Sequence, residues 1–443
     1  MAAINSLPRE IFLEILVQFK RASCNRSLLN CLLVCRSWRD AALPLLYGNM
    51  VLSGLNLLTF CEGFNPAYGS HVRSVTLRIG YDHGSSKGEL DDGLQRFSGL
   101  LSKLERLSTL SFHVSSGFLY DISHGILLSL VQALPESCVN LEIDTHHYDA
   151  PSAAAADGHL CEQIRHILPR MRHVRLSLRY ICSALIGTGP LLPCPANDAK
   201  IFSPIALPNI QNLVVSCASA ARCRLPKRCQ HLGQHEADQS TGWDSVTQAL
   251  KLLVENRRYS GSAKFFVFSS IPGDDDDRSQ YDTLVCTEMV SQTTLAFPIR
   301  FVAMTDSNDG WLLRTQTGQD ILSFSWALRD FAEGEAWRDT IGGGRFPAEV
   351  LRRGQFFSTI CVEKKLPILS QEMFKDLYPR KSCDLWTNEQ TAGKALLIPE
   401  TRKGETYLSR TPLGEATPPG FVRAMADENQ RLYKEGDPDI PDW

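Results

Sequence analysis

Three apolar runs decide how the chain begins to fold: LPREIFLEIL (residues 7–16), LLNCLLVCRSW (residues 28–38) and ALPLLY (residues 42–47). Ile11, Ile15 and Phe19 recur at intervals of four residues, which is the spacing of one helical face. Pro8 suits the first turn of a helix, because its missing N–H would have no partner there. The runs predict three short helices within about fifty residues.

These helices carry more apolar surface than they can bury among themselves. Units of this size bury only about 60% of the surface that their unfolded chain exposes. Either a later part of the chain covers the excess, as in the capping layer of a larger core, or a separate protein covers it. Helical periodicity alone does not decide between the two.

The order of residues in the three runs resembles the F-box, in the form common in fungal proteins. The matching positions are Leu7, Pro8, Glu10, Ile11, Ile15, Leu32, Val34, Cys35, Trp38 and Leu46. The resemblance covers about the first fifty residues, and the connection from Lys20 to Ser27 is a few residues longer than in compact members. An LPxEI motif followed by LLVCRSW at this distance is a specific signal.

The resemblance implies a domain over residues 1–50 that binds a Skp-family linker protein of a cullin-RING ubiquitin ligase. A few buried aliphatic side chains carry most of the energy of such a helix-face contact. The side chains expected at the contact are Leu7, Pro8, Ile11, Ile15, Leu32, Leu33, Val34 and Trp38. The indole of Trp38 is also expected to lock the three helices together.

A second pattern recurs between residues 72 and 215, with apolar residues at the first, fourth and sixth positions of each copy. The five copies are Val72, Val75, Leu77; Leu107, Leu110, Phe112; Cys138, Leu141, Ile143; Met171, Val174, Leu176; and Ile210, Leu213, Val215. Their starts lie 35, 31, 33 and 39 residues apart. The alternation predicts a strand in each copy, and the intervals leave room for one helix between strands.

Amphipathic segments fill three of these intervals and predict helices over residues 94–107, 122–134 and 160–168. Units of this kind must stack to bury their apolar faces. The pattern resembles the divergent leucine-rich repeats that often follow an F-box, and it implies an α/β fold with a leucine-rich-repeat-like solenoid over residues 51–300. The spacing is uneven and the Asn that usually closes each repeat strand is absent, so a non-solenoid α/β domain is a second interpretation.

The last part of the chain has weaker patterns. A helix near residues 245–256, a strand at 264–268 and a hairpin formed by 299–304 and 311–314 are predicted. Residues 301–443 are expected to complete or cap the array, with an extended tail from about residue 400. The four acids Asp274–Asp277 are expected in a solvated loop.

Composition places the chain among ordinary globular proteins with more than one structural unit. It has 443 residues, of which 43% are hydrophobic and 21% charged, and one core rarely serves that length. A net charge of -3 gives no electrostatic reason to expect a nucleic acid or membrane partner. No secretory signal is visible and the 14 cysteines are scattered, so we expect reduced thiols and a cytoplasmic and/or nuclear protein.

The sequence offers no catalytic constellation and one weak metal candidate. The segment Gly342–Arg345 lacks the lysine and hydroxyl residue of a phosphate-binding loop. A zinc site is conceivable because sulfur and imidazole groups cluster in one segment, although Cys-x-x-Cys knuckles are missing. These residues are Cys217, Cys223, Cys229, His231 and His235. We expect no cofactor.

The leading hypothesis is a non-enzymatic adaptor that holds an unknown protein substrate close to a ligase, which requires proximity alone. Substrate contacts are expected from strand faces or loop edges of the array, and Trp311, Trp326, Trp337 and Trp386 are better explained as core than as contacts. Two alternatives stay open. One is an interaction scaffold without ubiquitin ligation, and the other is an enzyme whose first helices merely resemble an F-box.

Overall fold

The fold is mixed α/β, with helices at the N-terminus followed by a mostly parallel sheet. The computed structural model describes residues 8–22, 25–80, 86–114, 120–146, 148–151, 159–189, 202–217, 242–271, 282–291, 293–305, 311–315, 320–323, 337–340, 343–351, 368–369, 394–399, 406–407, 409–412, 416–417, 419, 421–426 and 431–434. Within these ranges, no helix combines the length and apolar character needed to cross a membrane.

The first three helices, which the sequence predicted, form a unit with its own core. They are α1 Arg9–Ala22, α2 Asn25–Cys31 and α3 Arg36–Tyr47. The amide of Phe12 donates to the carbonyl of Pro8 (3.0 Å), so helical bonding starts at the proline. The buried side chains of the unit are Phe12, Leu16, Leu28, Cys31, Ala41 and Ala42. Half-buried Trp38 packs edge-on against Phe12, with ring centroids 5.1 Å apart.

Gly48 joins this unit to the rest of the chain. Its amide donates to the carbonyl of Pro44 (2.9 Å), and its own carbonyl accepts from the amides of Arg73 (2.9 Å) and Ser74 (3.0 Å). A Cβ atom at position 48 would lie 2.4 Å from the Pro44 carbonyl oxygen. The close approach therefore requires glycine.

Among the described residues, seven strands then form a parallel sheet in which neighbours follow chain order. They are β1 Asn49–Ser53, β2 Ser74–Ile79, β3 Thr109–Val114, β4 Asn140–Asp144, β5 His173–Ser177, β6 Asn212–Ser216 and β7 Lys264–Ile271. The five strands predicted from the repeating pattern are confirmed. The fourth-position residues Val75, Leu110, Leu141, Val174 and Leu213 are paired in register across the sheet.

Helices connect most of these strands and pack on the apolar side of the sheet. They are α4 Gly54–Gly63, α5 Lys87–Leu101, α6 His124–Gln132, α7 Leu160–Ile167 and α8 Gly242–Glu255, with short 3-10 helices at Pro66–His71, Leu168–Arg170, Ser183–Leu185 and Ala348–Val350. Helices α4 to α7 contact one another in chain order. One continuous buried cluster joins them to the sheet.

The predicted helix over residues 94–107 was wrong in its bounds. Helix α5 begins at Lys87, because Ser86 and Glu89 form a capping box that satisfies backbone amides at its start. It ends at Leu101, and the buried Leu104 and Leu107 lie in the turn that leads into β3. The other predicted helices are confirmed within a few residues of their ends.

The sheet continues beyond β7 through antiparallel strands. These are β8 Asp282–Glu288, β9 Thr293–Thr305, β10 Trp311–Thr315 and β11 Asp320–Ser323, each paired with the strand before it. The predicted hairpin over 299–304 and 311–314 is confirmed by the pairing of β9 with β10. The four acids at 274–277 lie outside the described residues.

The parts of the chain that the structure describes after residue 323 contain eight further strands. They are β12 Trp337–Asp339, β13 Arg345–Pro347, β14 Ile368–Leu369, β15 Lys394–Pro399, β16 Thr406–Tyr407, β17 Ser409–Pro412, β18 Phe421–Ala426 and β19 Arg431–Lys434. Strands β17 and β18 pair with β15, and β19 pairs with β9. The segment after residue 400, predicted as an extended tail, thus contains strands that pair with the sheet. Two-residue strand pairs join 122–123 to 149–150 and 187–188 to 203–204.

Candidate functional site

The N-terminal unit exposes a set of large apolar side chains that we name the docking face. Its members are Ile11, Ile15, Leu29, Leu33 and Val34. Leu33 keeps 83% of its surface in solvent and Ile11 keeps 51%. On the same helices Phe12, Leu16 and Leu28 are buried. The unit therefore fills its own core and still presents a separate apolar surface.

A tight turn after α2 places Leu33 and Val34 outward. The amides of Leu32, Leu33 and Val34 donate to carbonyls three residues earlier, at distances of 3.1, 3.1 and 3.4 Å. Such bonds tighten the last turn of a helix. The guanidinium of Arg39 in α3 donates to the carbonyl of Leu32 (3.3 Å), which fixes the turn against the third helix.

The sequence-predicted contact residues fall into three groups. Pro8, Ile11, Ile15, Leu33 and Val34 are exposed. Leu32 and Trp38 are half-buried and pack against the unit's own core. Leu7 lies outside the described residues. Sequence reasoning missed Leu29 as a contact, although its spacing of four residues from Leu33 was a visible signal.

A second candidate surface is the strand face, which we define as the side of the parallel sheet opposite the helices. At its centre, Thr76, Ser111, Glu142 and Arg175 stand in register on β2 to β5. All four side chains are buried. A buried charge is costly unless it is paired and hydrogen-bonded, so this row requires a partner.

Arg345 supplies that partner from a distant part of the chain. Its Nε donates to Glu142 Oε2 (2.9 Å), and its Nη2 donates to Glu142 Oε1 (2.7 Å). Its backbone amide donates to Thr76 Oγ1 (2.9 Å). Arg175 also bonds the Glu142 carboxylate, and it bonds Asp144 at 3.0 Å. Ser111 donates its hydroxyl to the same Glu142 carboxylate.

The Glu142 carboxylate is held in its charged form. Burial alone would raise the pKa of Glu142, but the guanidiniums of Arg345 and Arg175 lower it to about 2. The side chains of Glu142 and Arg345 are almost wholly shielded from solvent. The centre of the strand face is therefore a closed ionic cluster at neutral pH.

The segment that carries Arg345 is the arginine hairpin, which we define as β12, β13 and the 3-10 helix Ala348–Val350. Gly343 has a φ of +78°, a conformation that favours glycine, and its carbonyl accepts from Nε of Arg78 on β2 (2.7 Å). Trp337 of this hairpin is buried, as the sequence predicted for core. The hairpin therefore covers the strand face on which substrate contacts were expected.

Most of the other candidates from the sequence lie outside the described residues. Cys217 is buried in the main core just after β6, and Cys223, Cys229, His231 and His235 lie outside the described residues. Trp326 and Trp386 also lie outside them. The glycines of Gly342–Arg345 were rejected as a phosphate loop, and within the described residues Gly343 and Gly344 serve the hairpin turn instead.

Comparison with known proteins gives one finding. The family model described as F-box-like matches residues 4–53. A search of curated proteins returns no match, and the same holds for the solved structures. F-box domains generally bind Skp-family linkers in SCF ubiquitin ligases. The match spans the three helices and the whole docking face, and residues 4–53 form an F-box-like domain.

Proposed function

We propose that this chain is the substrate-recognition adaptor of an SCF-type cullin-RING ubiquitin ligase. The docking face binds a Skp-family linker, and the region after residue 50 recruits a protein target. One observation carries the proposal: five large apolar side chains of the F-box-like domain stay in solvent although that domain has a core of its own. Such a surface is typical of a protein interaction site.

The docking face has the arrangement that helix-face recognition needs. Fully burying one large aliphatic side chain is worth about 1.5–3 kcal/mol, and a few central anchors usually dominate an interface. Ile11 and Ile15 lie one turn apart on α1, and Leu33 and Val34 follow α2. A partner that covers both elements would remove all of this apolar surface from water.

The target is proposed to bind in the leucine-rich-repeat-like region. Support comes from seven parallel strands in chain order and from the register of the repeated apolar positions. Stacked units of this kind offer extended surfaces to partners. Because the arginine hairpin covers the centre of the strand face, we place the target contacts on the loop edges of the array.

The proposed adaptor role requires no catalytic group from this chain. A ligase adaptor raises the local concentration of a substrate lysine near a charged conjugating enzyme, which is catalysis by proximity. We therefore propose that the chain is not itself an enzyme and needs no cofactor for this role.

The decisive experiment is a titration of purified Skp-family linker with the full chain and with Ile11→Asp. The charge enters an apolar contact, so binding is expected to weaken by at least about thirtyfold, the equivalent of a 2 kcal/mol anchor. Leu55→Asp is the matched control, because Leu55 is equally exposed but lies in α4, outside the F-box-like match. Equal binding by both variants would overturn the proposal.

A second measurement separates the adaptor from a scaffold that binds the linker without ubiquitin ligation. Cullin that co-purifies with the tagged wild-type chain, and is lost with Ile11→Asp, supports the adaptor. Linker without cullin under the same conditions supports the scaffold.

The third measurement addresses the target. The Ile11→Asp chain keeps the region after residue 50 intact and is expected to hold the target without passing it to a ligase. A protein that binds this variant and whose half-life lengthens when the variant replaces the wild type fits the proposal. Unchanged half-lives of all bound proteins would contradict it.

A further inference from the structure

Two thiols and an imidazole meet at the start of α7. Cys161 lies in the first turn of that helix, and His159 is the residue directly before the helix. Cys182 lies between β5 and the 3-10 helix Ser183–Leu185. The ligand atoms of the three residues all lie within 4.8 Å of one another. Nε2 of His159 is 3.7 Å from Sγ of Cys182.

The distance between His159 and Cys182 fits an edge of a zinc coordination polyhedron. Zinc binds imidazole nitrogen at about 2.0–2.1 Å and thiolate sulfur at about 2.3 Å in tetrahedral sites, which separates the two ligand atoms by about 3.6 Å. Sulfur and imidazole are also the donors that zinc prefers in proteins. The separation of His159 and Cys182 needs almost no adjustment to hold the ion.

The surrounding contacts hold the three donors in place. The guanidinium of Arg165 in α7 donates to the carbonyls of Ala184 and Gly187, at 2.9 Å each. These bonds tie α7 to the segment that carries Cys182, and the helix also packs on the 3-10 helix there. Both chain segments are therefore positioned before any ligand arrives.

Another buried cysteine shows what an ordinary core thiol looks like in this protein. Cys138 is completely buried, and its thiol donates to the carbonyl of Asn140 two residues away. Cys161 and Cys182 instead lie within hydrogen-bonding reach of each other and beside the imidazole of His159. Core packing accounts for a single buried cysteine, but it gives no reason for an imidazole beside two thiols.

We propose that His159, Cys161 and Cys182 bind one zinc ion, with a fourth position left for water or another ligand. Binding replaces the two thiol protons with the metal, so two protons leave for each ion bound. The ion would pin the start of α7 to the segment after β5. The proposal is independent of the adaptor role.

The test uses the full chain purified without chelators. One equivalent of zinc is expected per chain, and cobalt exchanged into the site is expected to show thiolate-to-cobalt charge-transfer absorption. His159→Gln, at a half-buried position, is expected to fold and to lose most of the zinc. Cys161→Ser and Cys182→Ser are expected to abolish the charge-transfer band, whereas Cys35→Ser, which changes an exposed thiol, leaves it unchanged.

Two results would overturn the proposal. One is folded wild-type protein that holds no zinc and gives no cobalt spectrum. The other is a metal content that stays at one equivalent in folded His159→Gln and in both serine variants, which would place the ion elsewhere in the chain. If the serine variants fail to fold, the His159→Gln result alone decides.

Discussion

The docking face and the strand face differ in their exposure to solvent. The docking face is apolar and open, with Ile11 and Leu33 in water. The strand face is charged at its centre and closed, with Glu142 and Arg345 buried. Proteins usually cover apolar surface and leave charge exposed. We propose that a linker protein covers the open apolar surface, whereas Arg345 of the same chain covers the charged residues of the strand face.

The largest loss of stability is expected when the carboxylate of the ionic cluster is removed. Glu142→Ala leaves the guanidiniums of Arg175 and Arg345 buried beside each other, and removing one partner of a buried ion pair costs about 3–5 kcal/mol. The midpoint of urea unfolding measures the loss. Glu62→Ala is the control, since it removes a carboxylate of an exposed ion pair with Arg96, and it should leave the midpoint unchanged. Equal midpoints for both variants would show that the cluster is not closed.

Lowering the pH should reduce the stability that the same cluster contributes, by slightly less than the substitution does. The folded pKa of Glu142 is about 2, below its ordinary value of 4.5, so its contribution is complete above pH 4.5 and is lost as pH falls toward 2. The shift corresponds to about 3 kcal/mol. The stability advantage of wild type over Glu142→Gln should shrink across this window and remain constant from pH 5 to 7. An advantage that stays constant down to pH 2 would contradict the depressed pKa.

Substitutions of two leucines in the F-box-like domain distinguish the role of the docking face from that of the core beneath it. Leu28→Ala opens a cavity in the small core and should lower the stability of that domain by about 2 kcal/mol or more. Leu33→Ala removes an exposed side chain, so it should leave stability unchanged and weaken linker binding. Thermal unfolding and a linker titration, run on both variants, check the pair. A stability loss at Leu33 would mean that this chain covers the docking face itself.

The smallest effect is expected at the rim of the arginine hairpin. His173 on β5 lies 3.8 Å from Glu349, whose side chain is about half exposed. Burial lowers the pKa of His173, while the Glu349 carboxylate raises it. Glu349→Gln should therefore lower the pKa of His173 further, as followed by NMR titration of the imidazole. An unchanged value would mean that the hairpin's 3-10 helix is not seated at β5.

The parallel sheet could be predicted because its signal is local. Three apolar positions within six residues mark five of its strands, and the repeat places Val75, Leu110 and Leu141 side by side. Strand β1 lies outside this pattern and was not predicted. The start of α5 was missed because the capping box of Ser86 and Glu89 lies before the apolar pattern begins. The apolar excess of the first helices was likewise readable, since it depends only on composition and helical spacing.

The arginine hairpin could not be predicted, because Glu142 and Arg345 are separated by 203 residues and neither has a local pattern that names the other. The sequence did carry a partial signal. Glu142 alternates with the apolar residues Leu141 and Ile143, which lie on one face of the strand, so its side chain is expected on the opposite face. What covers that face is a matter of tertiary packing, and sequence periodicity carries no information about it.

The junction at Gly48 has a consequence for the geometry of a ligase adaptor. One residue separates α3 from β1, and hydrogen bonds to Arg73 and Ser74 clamp it. The junction therefore holds the F-box-like domain and the parallel sheet in one relative orientation. In the proposed adaptor, a bound target would then sit at a fixed distance from the linker, and only lysines at that distance would reach the conjugating enzyme.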